Sequence, residues 1–175
     1  MTIRAMSSEH TRPFRPSLVL VALLAALALM TMGPAAHPAP VSAGTAANME
    51  QKILGWINNA RENRHLKPLR FTDKLRNLAG DRAAELARTG DLEHPDCLSC
   101  MFNSRDIAWD HCGEVIAMNS GYDWGHDAAR AVFESWRNSP PHWDLLMSRD
   151  FRRIGLGVAY RSQDDSTWAA GVLAG

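Results

Sequence analysis

The sequence of 175 residues has only three cysteines, 7% aromatic residues and no excess of either charge. Its 19 basic side chains are balanced by 19 acidic ones, so the chain lacks the positive field with which proteins hold nucleic-acid phosphates. It also lacks a Gly-x-x-x-x-Gly-Lys loop, a His-Glu-x-x-His helix and a Gly-x-Ser-x-Gly turn. The composition excludes disordered and collagen-like chains, and we expect no nucleic acid among the partners.

The longest apolar run, Leu18–Met30, has 13 residues, whereas a membrane span requires about 20. A leader with three arginines precedes the run, and small residues follow it around Ala43. This combination is typical of a secretory signal peptide. We therefore predict that residues 1–43 are a signal peptide cleaved near Ala43, with Ala36 as a competing cleavage site and an uncleaved anchor as the alternative.

Removal of this segment leaves residues 44–175, which contain all six tryptophans. This length is sufficient for one domain with a hydrophobic core. We expect a secreted, extracytoplasmic monomer that meets the membrane only through its signal sequence.

Hydrophobic periodicity predicts three helices followed by a hairpin of two strands, which favours an α+β fold over an alternating α/β fold. Residues 91–121 show no periodicity, and we predict that this segment, which carries all three cysteines, is mostly loop. The helices are predicted over 49–64, from a cap at Thr72 to Gly90, and over 123–138, and the strands over 153–160 and 167–173.

Four polar residues stand at the ends of predicted elements, where loops commonly build binding sites: His94, Glu114, Ser139 and His142. Each also has a plain structural interpretation. A single histidine is most often a hydrogen-bonded packing residue, Glu114 could cap or lie on the surface, and Ser139 precedes two prolines as a helix-terminating residue would.

Five segments of the chain, taken in order, carry a family resemblance: 56–61 with 66–69, 75–86 with 90–94, 112–117, 136–146 and 151–159. They resemble the sequence boxes of the CAP superfamily, the cysteine-rich secretory, antigen 5 and pathogenesis-related proteins, and bacterial members in particular. One of them, Cys112–Ala117, resembles the family's Gly-Glu-Asn-Ile-Ala box.

The resemblance implies a three-layer α-β-α sandwich with a small antiparallel sheet and an open cavity. It further implies that His94, Glu114 and His142 meet in that cavity. Ser139 takes the position at which eukaryotic members have a second glutamate. Family members are credited mainly with binding lipids, sterols or metal, so a lipid-like or cell-envelope ligand is expected.

Two neutral imidazoles with open positions can hold a divalent metal such as zinc, which lowers the pKa of a bound water. The favoured hypothesis is a binding protein in which His94 and His142 hold such a metal. The alternatives are a metal-dependent hydrolase that uses Glu114 as its base, and an interaction module with a structural histidine cluster. Whether the protein is an enzyme is left open, with binding preferred over catalysis.

The three cysteines allow one intramolecular bridge, which an oxidising compartment favours. We expect Cys112 to pair with either Cys97 or Cys100, in preference to a bridge between Cys97 and Cys100. The alternative is a zinc site in which all three thiolates join His111 or His94.

Overall fold

The computed structural model describes residues 43–175, so all but the last residue of the predicted signal peptide lies outside the described part. No helix among the described residues is long and apolar enough to cross a membrane. The elements, in chain order, are α1 (Ala43–Glu62), β1 (Arg70–Phe71), α2 (Asp73–Thr89), α3 (Leu98–Asn103), β2 (Cys112–Ser120), α4 (His126–Arg137), α5 (Pro140–Met147), β3 (Arg153–Arg161) and β4 (Ser166–Ala174).

The sheet has the strand order β1-β3-β4-β2. The predicted hairpin is present, since β3 pairs antiparallel with β4, and β4 pairs antiparallel with β2 along its whole length. The two-residue β1 adds a short parallel edge beside β3. Every residue of β4 is buried, which explains why its sequence is almost continuously apolar.

The alternation of side chains along the strands separates two hydrophobic layers. Val115 and Leu173 point into a core shared with α1 and α4, whereas Val172 points into a core shared with α2. The fold is therefore the expected α-β-α sandwich, with α2 covering one face of the sheet. The apolar stripe of α2 is buried, and it consists of Leu75, Leu78, Ala79, Ala83 and Leu86.

Two glycines of β3 allow the backbone of α2 to lie directly on the sheet. A Cβ atom at Gly155 would lie 2.0 Å from the carbonyl oxygen of Leu75, and one at Gly157 would lie 2.3 Å from that of Ala79. Any larger side chain would collide with helix backbone. This close packing fixes α2, which ends at Gly90 in a left-handed conformation shortly before His94.

Arg61 is fully buried in α1 and holds the end of α5 in place. Its guanidinium donates to the carbonyl oxygens of Leu146 at 2.5 Å and Ser148 at 3.0 Å, and its Nε donates to that of Lys67 at 2.8 Å. Since the described residues provide no carboxylate partner for it, the charge is satisfied by peptide dipoles alone.

Two sequence-based expectations about chain segments need correction. Residues 91–121 have more regular structure than expected, because they contain the six-residue helix α3 and the nine-residue strand β2, which together make almost half of the segment. The pair Pro140-Pro141 does more than end a helix, since it begins α5. Proline is tolerated in the first helical turn because the N–H it lacks has no intrahelical partner there.

The expected disulfide between Cys112 and either Cys97 or Cys100 is wrong. Cys97 and Cys100 pair with each other across a Cα separation of 5.3 Å, and Cys112 has a free thiol. The reason is local: α3 begins after Cys97, so the two cysteines face each other over one helical turn, whereas Cys112 starts β2. The oxidised pair is unavailable for the alternative zinc site of three thiolates.

Candidate functional site

Three elements bring three of the four sequence-predicted residues together. His94 lies on the loop after α2, Glu114 lies in β2, and His142 lies in the first turn of α5. Nδ1 of His94 is 2.9 Å from Oε2 of Glu114, and the rings of His94 and His142 are 6.1 Å apart between centroids. The structure therefore forms a cluster of two imidazoles and one carboxylate from residues distant in sequence.

Ser139 has a different position. It is the residue before α5, and its side chain makes no capping hydrogen bond. Its carbonyl oxygen accepts from the backbone N–H of Trp143 at 2.9 Å, which starts the helix. Within residues 43–175 its hydroxyl has no hydrogen-bond partner, so the geometry favours the structural interpretation over a nucleophile.

The carboxylate of Glu114 is buried and fully engaged, with a side-chain exposure of 2%. Oε1 accepts from Nε of Arg82 at 2.7 Å, and Oε2 accepts from Nη2 of Arg82 at 3.4 Å and lies against His94. Both oxygens are thus occupied by cationic or imidazole N–H donors. The contact assigns the proton of the neutral His94 ring to Nδ1 and leaves the lone pair of Nε2 free.

Arg82 is the functional residue that the sequence analysis missed. It is buried within the apolar stripe of α2 and donates to the Glu93 carbonyl oxygen at 2.9 Å and to Glu85 at 2.7 Å, besides Glu114. It therefore joins α2, β2 and the His94 loop. The signal was available, because an arginine at i+3 from Ala79 on a buried helix face requires a buried acceptor.

His142 is partly buried, and this burial lowers its pKa, with a smaller contribution from the neighbouring His94. Desolvation disfavours the charged imidazolium. His142 is therefore neutral at physiological pH and has a nitrogen lone pair available for a ligand.

A cavity of 330 Å³ opens beside His94 near the C-terminal end of α2. Its lining is predominantly polar and charged and includes Arg82, Glu85, Asp91, Glu93 and Asp96. The large apolar side chains that are exposed in the described part are scattered: Leu92, Met118 and Tyr122. This surface suits a polar ligand better than an acyl chain.

The two histidines provide two of the donors that a zinc site requires. No group of three or more His, Cys, Asp or Glu side chains that could hold a metal ion occurs among residues 43–175. Two imidazoles that share a tetrahedral zinc have ring centroids roughly 5 Å apart, since each Zn–N bond is about 2.1 Å. Imidazole is a donor that zinc accepts, but the observed separation of 6.1 Å is longer than this value, so one ring would have to move for both to bind one ion.

The family model described as the cysteine-rich secretory protein family, CAP, matches residues 54–172. Among solved structures, an outer surface protein from Borrelia burgdorferi is similar with a TM-score of 0.62 and 18% identity, over 72% of this chain and 91% of that one. An extracellular protein with an SCP domain from Bacillus anthracis has a TM-score of 0.61 and 16% identity, over 77% of this chain and 44% of that one.

A cysteine-rich secretory protein from Staphylococcus aureus is similar with a TM-score of 0.58 and 17% identity, over 76% of this chain and 40% of that one. This chain thus spans less than half of the Bacillus and Staphylococcus chains. A comparison with curated protein sequences found no match. Likeness at these identities shows the fold, and the three proteins are described as an outer surface, an extracellular and a secretory protein.

Proposed function

This chain belongs to the cysteine-rich secretory protein family, and on that premise we propose that it is a secreted binding protein whose His94 and His142 hold a divalent metal such as zinc. The observation that carries the proposal is the 2.9 Å contact between Nδ1 of His94 and the buried Glu114 carboxylate. A carboxylate behind a metal-binding histidine orients the ring and raises its basicity.

The remaining donors of the cluster support the same role. His142 stays neutral because burial lowers its pKa, so protons compete weakly for its lone pair at neutral pH. A bound divalent cation would supply a Lewis-acidic positive charge with open positions for the oxygen atoms of a ligand. The polar lining beside His94 favours a polar cell-envelope ligand over a lipid-like one.

One similar structure is that of NaASP2 with Zn²⁺, with a TM-score of 0.54 and 15% identity over 76% of this chain. The zinc belongs to that protein, and at this identity only the fold is shared. It supports the choice of zinc as the first metal to test here.

The hydrolase alternative receives less support from the geometry. A general base needs a lone pair within reach of a water molecule. Both oxygens of Glu114 already face Arg82 or His94, and the side chain is 2% exposed. We therefore assign Glu114 to positioning His94, and we prefer binding over catalysis.

The test is a calorimetric titration with zinc, carried out on a Cys112→Ser background because the free thiol is a potential zinc ligand. We expect one equivalent to bind, and the His94→Ala/His142→Ala variant to bind at least tenfold more weakly. The matched control is His65→Asn, because His65 is exposed and has a positive φ of 56°, which asparagine tolerates.

Glu114→Gln separates positioning from direct ligation. The amide keeps a hydrogen bond to His94 but lacks the charge. We therefore expect its zinc affinity to lie between that of the control variant and that of the double histidine variant. Zinc affinity in the double histidine variant equal to that of the control would overturn the proposed metal site.

A further inference from the structure

A second cleft, which we call the basic cleft, lies at the other end of α2 from His94. It has a volume of 640 Å³ and is lined by Lys67, Pro68, Arg70, Phe71, Thr72, Arg152 and Arg153. Four of these seven residues are basic and none is acidic, although the whole chain has no net charge. The helix between the two sites has 17 residues and is therefore about 25 Å long.

The strand pairing places two arginines of the basic cleft side by side. Arg70 of β1 is the direct partner of Arg153 in β3, and the backbone N–H of Arg70 donates to the carbonyl oxygen of Arg152 at 3.0 Å. Like charges on directly opposed residues of neighbouring strands repel each other. An anion bound beside Arg70 would reduce this repulsion.

The cations of the basic cleft have little internal compensation. Among residues 43–175 the side chains of Lys67 and Arg70 have neither a hydrogen bond nor an ion pair, and both are exposed. Arg153 donates to backbone oxygens, those of Ala108 at 2.8 Å and Gly175 at 2.7 Å, and to no acidic side chain of residues 43–175. Arg152 likewise donates to carbonyl oxygens, including that of Phe151.

A fifth cation lies beneath the cleft. The buried guanidinium of Arg61 donates to the carbonyl oxygen of Lys67 and approaches that of Phe151 at 3.4 Å. Its pKa is lowered, chiefly by burial and also by the nearby charge of Arg152. Because no carboxylate among the described residues neutralises Arg61, its charge adds to the positive potential of the cleft.

We propose that the basic cleft binds a phosphate group through Lys67, Arg70 and Arg152. Guanidinium groups match phosphate oxygens in pairs, and a lysine adds a mobile point charge. Phe71 and Pro68 give the cleft an apolar wall for the part of the ligand that carries the phosphate. The phosphate could belong to a soluble phosphate compound or to a lipid headgroup, and the experiment distinguishes the two.

The binding test uses pyrophosphate in calorimetry at low ionic strength, and co-sedimentation with phosphatidylcholine vesicles with and without one fifth phosphatidic acid. We expect Lys67→Gln/Arg70→Gln to weaken binding at least tenfold in whichever arm shows it. The control, Lys52→Gln/Arg88→Gln, removes the same charge from exposed sites on α1 and α2 and is expected to bind like the wild type.

Each result has a defined meaning. Pyrophosphate binding that depends on the cleft supports a soluble phosphate ligand, and cleft-dependent binding to the acidic vesicles alone supports a lipid headgroup. Absence of binding in both arms, or equal losses in the cleft and control variants, overturns the proposal.

Two further measurements guard against misinterpretation. Arg70→Lys preserves the charge and is expected to retain most of the binding, which separates a binding effect from a folding effect. The cleft variant should still bind zinc like the wild type, because the two histidines lie at the opposite end of α2.

Discussion

The ion pair between Arg82 and Glu114 gives the sharpest test of how the histidine cluster is built. Their side chains are 4% and 2% exposed, and the Nε–Oε1 distance is 2.7 Å. Arg82→Met leaves the Glu114 carboxylate buried without its guanidinium. Removal of one partner from a buried pair costs about 3–5 kcal/mol, which is a large share of the roughly 5–15 kcal/mol by which a domain is stable.

Glu114→Gln and Arg82→Met are the two single variants of a double-mutant cycle, and Glu114→Gln should have the smaller loss of stability. Arg82 keeps its contacts with Glu85 and with the carbonyl oxygen of Glu93, so we expect a loss of about 1–3 kcal/mol. In the double variant Arg82→Met/Glu114→Gln neither partner carries a buried, unpaired charge. Its loss should therefore be smaller than the sum of the single losses by at least about 1.5 kcal/mol.

The assay is urea unfolding followed by tryptophan fluorescence, for which Trp136 and Trp168 are suitable probes because they are 0% and 1% exposed. Equal slopes of the unfolding curves are needed for the comparison. If the two single losses add within about 0.5 kcal/mol, the pair is not coupled and the reasoning about Glu114 is refuted.

Two other predictions concern packing and pH. Gly157→Ala should lower the stability by at least about 3 kcal/mol or prevent folding, because its Cβ would meet the backbone of Ala79. Gly55→Ala has no atom within 4 Å of its Cβ and should raise the stability by about 0.5–1 kcal/mol through helix propensity. Equal urea midpoints for the two variants would contradict this prediction. Because the pKa of His142 is lowered in the folded state, its contribution to stability is complete above the unfolded pKa of 6.5 and is lost as pH falls through the folded pKa. The wild type should therefore lose more stability than His142→Gln between pH 7.5 and pH 5. Equal losses of stability in the two proteins would show that His142 does not contribute to this pH dependence.

The sequence predicted those elements whose pattern is set by one buried face. The stripe of α2 and its end at Gly90 are visible because one side of the helix faces the sheet. The strand β2 was harder to recognise, since residues Gly113–Ala117 are buried on both faces and show no alternation. Helix α5 was missed because its two prolines were interpreted as the end of the preceding helix, although they occupy the first turn of α5.

The members of the candidate site were predictable from the family resemblance, but their arrangement was not. Nothing in the spacing of His94, Glu114 and His142 indicates that the oxygens of the carboxylate accept hydrogen bonds from Arg82. This contact depends on the register of β2 against β4 and on the position of α2, and both are tertiary properties. The pairing of Cys97 with Cys100 likewise depends on a short helix that the sequence pattern did not reveal.

The contacts make the two histidines unequal partners for a ligand. His94 is half exposed, yet its ring is anchored at Nδ1 by a carboxylate whose two oxygens both accept hydrogen bonds from Arg82. His142 lies at the start of α5, whereas Arg61 fixes that helix at its end, through Leu146 and Ser148. In the proposed metal site, a change in the 6.1 Å separation of the ring centroids would have to come mainly from His142, because the contact with Glu114 fixes the ring of His94. The proposed site therefore has one imidazole, that of His94, anchored by a carboxylate, and a second, that of His142, kept neutral because burial lowers its pKa.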